Sequence, residues 1–429
     1  MTIRLRKSSG RGGHEWNGVS CVRVMGLCLL VALPAVVAQE VVAPSPAAPM
    51  LPPALREYQA EKTTALPSIG AISDVTQEPS PFQWGPVTLQ PRVSYRFLYG
   101  DGIQATPGDR SKTAIHEIAP GLRFGLGSHW ILDYTPTWTF YSNKNFRDNL
   151  GHAVGLTGGG VYGDWVLGLS QSYGCSDTPL IETGRQTSQE TFSTALTASH
   201  RFSPELSLDL SLNQNLRFVE AFAGSREWST MDWLNYQVWP RFTVAVGAGF
   251  GYVDVDRSPD ETYEQYQGRI SWRATDKISL QIHGGVEDRQ FVSGGAGDLV
   301  NPIFGASVQY QPFEATGLSF SAKRAVNASF FQDEVTETTS LSATLSQRLL
   351  GKLMLSLGGG HSTVRYVAAT SSVSAGRHDD NYSFDARLAS PFLKRGSVEV
   401  FYQYADNVSN EPAFSYTSHQ VGIQVQYRF

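Results

Sequence analysis

The sequence predicts an all-β fold: a closed antiparallel up-and-down transmembrane β-barrel of about eighteen strands, with sixteen to eighteen in range. Three observations carry this reading. Hydrophobicity recurs with period two, over stretches longer than the usual strand of about five or six residues. Connections between these stretches alternate between short turns and longer polar loops, and aromatic side chains gather toward the stretch ends.

Taken in chain order, residues 1–23 are basic, with Arg4, Arg6, Lys7, Arg11 and Arg23 against Glu15. An apolar run over 24–33 follows, then Pro34 and small residues at Val36 and Ala38. This is the pattern of a Sec-type signal peptide, 1–38, cleaved after Ala38. The run is too short for a spanning helix, which needs about 20 apolar residues. Cleavage would remove five basic groups and one acid, taking the formal charge from −5 to −9. One cysteine, Cys175, would remain, read as a lone thiol in a loop, as suits an exported chain that does without disulfides. Residues 39–86 hold nine prolines among Ala, Ser and Val. Such a segment is PPII-like or disordered and reads as a periplasmic linker.

From residue 87 onward apolar residues alternate with Ser, Thr, Gln, Asn, Gly and charged residues. The clearest runs are Val93/Tyr95/Phe97/Tyr99, Trp130/Leu132/Tyr134, Leu206/Leu208/Leu210/Leu212, Val244/Val246/Ala248/Phe250, Phe384/Ala386/Leu388 and Val398/Val400/Tyr402. Short turns fall near 127–129, 163–164, 203–205, 239–241, 274–277, 311–316, 350–352 and 390–395. Longer loops fall near 100–113, 142–149, 174–186, 219–227, 254–263, 291–300, 329–334, 368–380 and 407–415. Aromatic residues suited to two interfacial girdles include Tyr99, Trp130, Phe140, Tyr141, Tyr162, Trp165, Trp239 and Phe250. A soluble sandwich would have shorter strands with turns every 8–12 residues, roughly. A propeller would repeat a motif at about 40–45 residues, and none is present.

Composition agrees once the two faces are separated. Only 17% of the 429 residues are charged and 11% are aromatic, with 41 glycines. Mean hydropathy is slightly negative, at −0.21, because apolar residues occupy every second position. The acidic balance excludes an electrostatic footprint for nucleic acid. Three cysteines exclude a disulfide framework, and no Cys/His spacing suggests zinc.

The chain stops on Phe429 after an alternating run in which Val421, Ile423, Val425 and Tyr427 hold the apolar places. This ending resembles the terminal assembly signal of outer-membrane β-barrel proteins. The region 87–429 is similar in architecture to the β-barrel porins of Gram-negative envelopes, a group with an exopolysaccharide-associated type. The resemblance implies Sec export to a Gram-negative outer membrane. It also implies contact with outer-membrane lipid and lipopolysaccharide, and recognition of the C-terminus by the barrel assembly machinery.

No nucleotide, metal or nucleophile motif survives inspection, so no cofactor or metal is expected. Loop acids such as Asp254, Asp256 and Asp298 read as solvated. Setting the apolar alternation outward places Arg92, Arg96, Arg123, Asp133, Asp209, Arg217, Arg269, Arg273, His283, Glu287, Lys323, Asp385, Arg387 and Glu399 inward. Charges facing a dry core are costly, whereas a wide lumen keeps them hydrated. Arg324, His361 and Arg365 fall on the lipid side, which places them near the extracellular rim or beside a bulge. The functional reading is a porin-like, non-enzymatic channel for hydrophilic solutes, polysaccharide among them. One alternative is a structural, adhesive or plugged barrel, the plug formed by side chains or by 39–86. The other is a rim hydrolase using one of nine histidines. Loops 219–227 and 291–300 are the candidates for an inward constriction.

Overall fold

A computed structural model describes residues 82–103, 111–180, 182–292, 297–370 and 376–429. The signal-peptide reading of 1–38 and most of the linker reading, 39–81, lie outside the described residues. The chain forms a short strand β1 (Phe82–Trp84) and then eighteen long ones. The first nine are β2 (Val87–Ile103), β3 (Ser111–Leu126), β4 (Trp130–Tyr141), β5 (Asn149–Tyr162), β6 (Trp165–Leu180), β7 (Arg185–Arg201), β8 (Leu206–Val219), β9 (Ser225–Trp239) and β10 (Phe242–Val255). The rest are β11 (Glu261–Thr275), β12 (Ile278–Phe291), β13 (Leu299–Phe313), β14 (Thr316–Ala328), β15 (Glu334–Leu349), β16 (Leu353–Ala368), β17 (His378–Phe392), β18 (Gly396–Ser409) and β19 (Tyr416–Arg428).

From β2 to β19 each strand pairs antiparallel with its chain neighbours, and β19 pairs back onto β2 from His419↔Asp101 to Arg428↔Arg92. The sheet is therefore closed, and no long edge is left to template association. Val421, Ile423, Val425 and Tyr427 stand opposite Tyr99, Phe97, Tyr95 and Val93, so the C-terminal run is the closing strand. The Phe429 amide donates to the Pro91 carbonyl at 3.0 Å. Beyond that point β1 takes over the same edge of β2, with Phe82 opposite Leu89 and Trp84 opposite Val87. The last residues assigned to the linker, 82–86, are thus a strand and a tight turn.

The period-two pattern becomes two faces. Apolar side chains on alternate positions stand exposed, among them Val246 at 65% and Tyr266 at 57% exposure. They neighbour one another across rungs, as in Leu208↔Leu234, Val308↔Phe320 and Phe384↔Tyr404. An exterior of this kind is stable only against hydrocarbon. The opposite face is polar. Strand boundaries run further than the alternation suggests, so loops are shorter: the 174–186 loop shrinks to the few residues between Leu180 and Arg185.

Two side chains depart from expectation. Tyr141 is not a girdle residue: it is 4% exposed, on the inner face, packed with Leu98, Ile115, Phe146 and Phe401. Strand β4 runs to Tyr141, whose parity with Asp133 turns it inward. Cys175 is not in a loop; it lies within β6 and is 3% exposed.

Near the closing rungs Gly102 has φ +70°, and a Cβ there would collide with the Thr417 carbonyl of β19. Gly102→Val is expected to lower the fraction of protein showing folded, heat-modifiable mobility on electrophoresis, whereas the same change at Gly127, with φ +63° but nothing within 4 Å, is milder.

Candidate functional site: the inner wall and the constricted long-loop end

Antiparallel connection puts all the short turns at one end of the barrel and all the longer loops at the other. Between the ends, the inner face is lined by charged side chains that meet across neighbouring strands. Arg92 on β2 bonds Asp133 at 2.6 Å and Thr135 at 2.8 Å on β4. Arg96 bonds Glu117 at 3.2 Å and Gln403 at 3.1 Å, and lies over the Phe401 ring at 4.7 Å. Arg123 stands opposite Asp133, and Arg273 opposite Ser279. Asp209 accepts from Ser199 and from Asn235, and Arg269 lies 3.8 Å away, stacked over Trp233. Asp385 and Glu399 flank Arg387 at 3.3 and 4.0 Å. His283 pairs with Gln267 at 2.8 Å. Lys323 stands opposite Gly305, which leaves its ammonium room. Both signs occur around the ring.

Toward the long-loop end the bore narrows, and two features do it. First, Phe146 of the β4–β5 loop packs on Leu98, Ile115, Tyr141 and Phe401. Its loop is tied down by Arg147, which reaches Asp177 at 3.3 Å and Glu220 at 3.5 Å, while Gln186 bonds the Arg147 backbone. Second, the tip of the β14–β15 hairpin leaves the wall. Pairing of β13 with β14 ends at Phe304↔Arg324, yet β14 continues to pair with β15 as far as Ala328↔Val335. Arg217, on the inner face of β8, donates to the carbonyls of Ala328 and Ser329 at 3.1 and 3.0 Å and stacks on Phe330 at 4.1 Å. β8 and β14 are six strands apart on a ring of eighteen, so this contact spans the bore.

Further loops close on the same tip. Glu182, in the β6–β7 loop, accepts from the Ser329 hydroxyl at 2.6 Å and the Phe330 amide at 2.7 Å. The Ala223 amide donates to the Phe330 carbonyl at 2.9 Å, and Ser258 accepts from the Asp333 amide at 2.8 Å. Arg377, in the β16–β17 connection, donates to the Glu182 carbonyl at 2.7 Å and to Asp379 at 2.5 Å. Its guanidinium stacks on Phe414 at 3.6 Å and Tyr366 at 4.6 Å, with Phe331 at 5.8 Å. Burial pushes the Glu182 carboxyl up; the bonds from Ser329 and Phe330 and the charges of Arg217 and Arg377 oppose it without cancelling it.

Below the tip, Arg289 is 2% exposed and paired with Glu261 at 2.5 Å and Glu287 at 2.8 Å. Tyr263 covers it at 4.8 Å and donates to Glu227 at 2.5 Å. On the outer face, Arg324 bonds Glu337 at 2.9 Å and the Pro302 carbonyl at 3.1 Å. Arg365 stands opposite Glu337. His361 stacks on Tyr382 at 4.7 Å and lies 3.4 Å from Asp380. These outward charges therefore occupy the loop-end part of the wall, with carboxylate neighbours. Thr363 donates to Asp380 at 2.7 Å.

Of the two loops expected to constrict the bore, 219–227 contributes Ala223 and also Phe222, which meets Phe331 edge-on at 5.8 Å. In 291–300, Phe291 ends β12 and Leu299 begins β13, with Val292, Gly297 and Asp298 between them, and 293–296 lie outside the described residues. The inserted element itself, 329–333, and its anchors Glu182 and Arg377 carry no sequence signal beyond two adjacent phenylalanines. Asp254 and Asp256 pair with Arg226 at 2.9 and 3.3 Å and remain partly exposed, as solvated loop acids do. Among the described residues no group of three or more His, Cys, Asp or Glu side chains could hold a metal ion.

Residues 254–429 match the model of the family described as putative beta-barrel porin 2. No curated protein sequence matches the chain. Solved structures that resemble it include three from Pseudomonas aeruginosa. OccK11 (OpdR) has 15% identity and a TM-score of 0.43, covering 80% of this chain and 96% of that one. OccK2 (OpdF) has 10% identity and a TM-score of 0.46, covering 80% and 98%. The outer membrane protein opdK has 13% identity and a TM-score of 0.43, covering 80% and 98%. The family match spans the wall from the end of β10 through β19, and the same closed wall continues through β2–β10, so the ring is one eighteen-strand antiparallel β-barrel.

Arg289→Ala would leave Glu261 and Glu287 buried without their cation, and is expected to destabilise the barrel by about 3–5 kcal/mol in denaturant titrations of the detergent-folded protein. Arg289→Met with both glutamates changed to Gln should recover most of that loss.

Proposed function

We propose that the protein is a passive channel of the Gram-negative outer membrane, admitting small hydrophilic solutes along a charged inner wall and through a gated constriction. The long loops and the β14–β15 tip face the outside of the cell; the short turns, β1 and the C-terminus face the periplasm. The exposed apolar wall meets lipid, the outward Arg324–Glu337–Arg365 row lies level with lipopolysaccharide headgroups, and β19 presents the assembly signal. Chemistry is left to the solute's own diffusion; the wall's groups act as a hydrated, two-signed lining.

The observation that carries this reading is the pairing of a closed ring of eighteen strands with a charged interior. Side chains fill a ring of about eight strands, whereas one of about 16–18 leaves an aqueous channel. Charges on the inner face are tolerable because a bore of this width admits water. The contact of Arg217 with Ala328 and Ser329 gives the plugged-barrel alternative a specific form, a pore whose outer mouth is held narrow by its own hairpin.

Planar bilayers should show discrete conductance steps, and folded protein that inserts without conducting would overturn the proposal. Arg217→Ala frees the hairpin tip from the far wall, so unitary conductance should rise while current noise increases.

Acidity should act in the closing direction. Glu182 binds its proton more tightly in the buried, closed arrangement than when solvated, so proton uptake favours closure. This bias is complete below the ordinary carboxylate range and is lost as pH rises through the raised value. Open probability should therefore fall on acidification from neutral, and Glu182→Gln should flatten the dependence. A profile that rises toward acid would refute the assignment.

A further inference from the structure

The wall is closed by pairing at every strand boundary, but two ladders stop short of the long-loop end while their strands run on, β5–β6 at His152↔Cys175 and β13–β14 at Phe304↔Arg324, and the second borders the hairpin tip that turns into the bore. Between β13 and β14 the last rung is Phe304↔Arg324, while both strands run on toward the long-loop end. Residues 299–303 of β13 pair with β12 alone, from Arg289↔Leu299 to Gly285↔Ile303. Residues 325–328 of β14 pair with β15 alone. Continuing the register would set Pro302 against Val326 and Val300 against Ala328, and neither pair is formed. Pro302 has no N–H to offer a ladder at this point. β12–β13 keep the line of the wall while the β14–β15 tip turns into the bore, which leaves a seam opening sideways.

Two arginines bridge this seam, one on each face. Outside, Arg324 donates to the Pro302 carbonyl at 3.1 Å and holds Glu337 and Thr339 at 2.9 and 3.2 Å. Inside, Arg289 donates to the Val326 carbonyl at 3.3 Å from its place between Glu261 and Glu287. Side chains therefore replace the missing backbone rungs, and a side-chain latch releases without unfolding a strand.

The chemistry changes across the seam. Its outer margin is apolar, with Val300 at 65% and Val286 at 47% exposure beside Phe304. Its inner margin is polar and includes Asn301, 6% exposed, whose side-chain amide nitrogen has no hydrogen-bond partner. A buried donor left bare costs about 1–3 kcal/mol, so a ligand acceptor reaching it would be held. With the axial mouth narrowed by the same hairpin, the seam is the sideways way out of the upper bore.

We propose that the β13–β14 seam is a lateral portal through which a single-chain amphiphile, an acyl chain bearing a hydrogen-bonding head, passes between the bore and the outer leaflet. The chain lies along Val286, Val300 and Phe304 while the head meets Asn301 and the Arg289 cluster. This rests on the membrane orientation proposed above, but not on axial conduction of hydrophilic solutes.

The test uses full-length protein in liposomes with a fluorescent dodecanoate as probe, and potassium chloride conductance measured in parallel. Pro302→Cys with Val326→Cys places a disulfide across the seam, its formation followed by gel mobility. Oxidation should cut protein-dependent probe transfer by about tenfold and reductant should restore it, with conductance unchanged. Wild-type protein taken through the same redox cycle controls for Cys175. Arg324→Ala, which needs no cross-link, should raise transfer with conductance unchanged. Absence of transfer by the wild type, transfer indifferent to both changes, or transfer and conductance falling together would each overturn the portal; in the first two cases retained conductance steps would leave the channel itself standing.

Discussion

A backbone amide or carbonyl in hydrocarbon has nothing to bond but another strand, and that constraint organises the whole molecule. A sheet can meet it only by having no edge. Here the ring closes through β19 and β2, and where β19 ends, β1 takes the remaining edge of β2. A boundary where pairing lapses shows how strict the requirement is. At the end of the β13–β14 ladder the carbonyls of Pro302 and Val326 are taken up by the guanidiniums of Arg324 and Arg289 rather than left bare. Arginine suits the task because its planar fork serves several acceptors at once and never gives up its charge.

Closure in turn sets what the interior can contain. With eighteen strands the bore is too wide for side chains to fill, so charged residues on the inner face keep their water and pair loosely with neighbours, as Arg387 does with Glu399 at 4.0 Å. Toward the loop end the spacing tightens and the electrostatics change character. Arg289 with Glu261 and Glu287, and Arg377 with Asp379 under Phe414, are buried, short and fully engaged. A charge withdrawn from water is tolerable only with partners of this quality. The same gradient, from loose hydrated pairs to buried clusters, marks the passage from channel to constriction.

How far the sequence could be read depended on the range of the interaction. Alternation in Val93–Tyr99 or Val421–Phe429 is local, and the lipid face selects it residue by residue, so strand order and turn positions were legible. Tyr141 was misread because an aromatic residue near a strand end is equally suited to a girdle or to an inner cluster, and only the Phe146 loop folding back decides between them. Arg324 looked misplaced on the lipid side because its reason, a missing rung beside Pro302, belongs to a different strand.

By itself, then, the sequence determined an all-β meander with one apolar and one charged face, because hydrocarbon and water act on each side chain separately. What only the tertiary structure decided is which loop enters the bore and what holds it. Ser329 and Phe330 meet Glu182 across eight strand positions of the ring, and Arg217 meets Ala328 across six. Such contacts depend on the curvature of the closed sheet, which brings residues nearly 150 positions apart within hydrogen-bonding distance. No pattern along the chain encodes a chord across a circle.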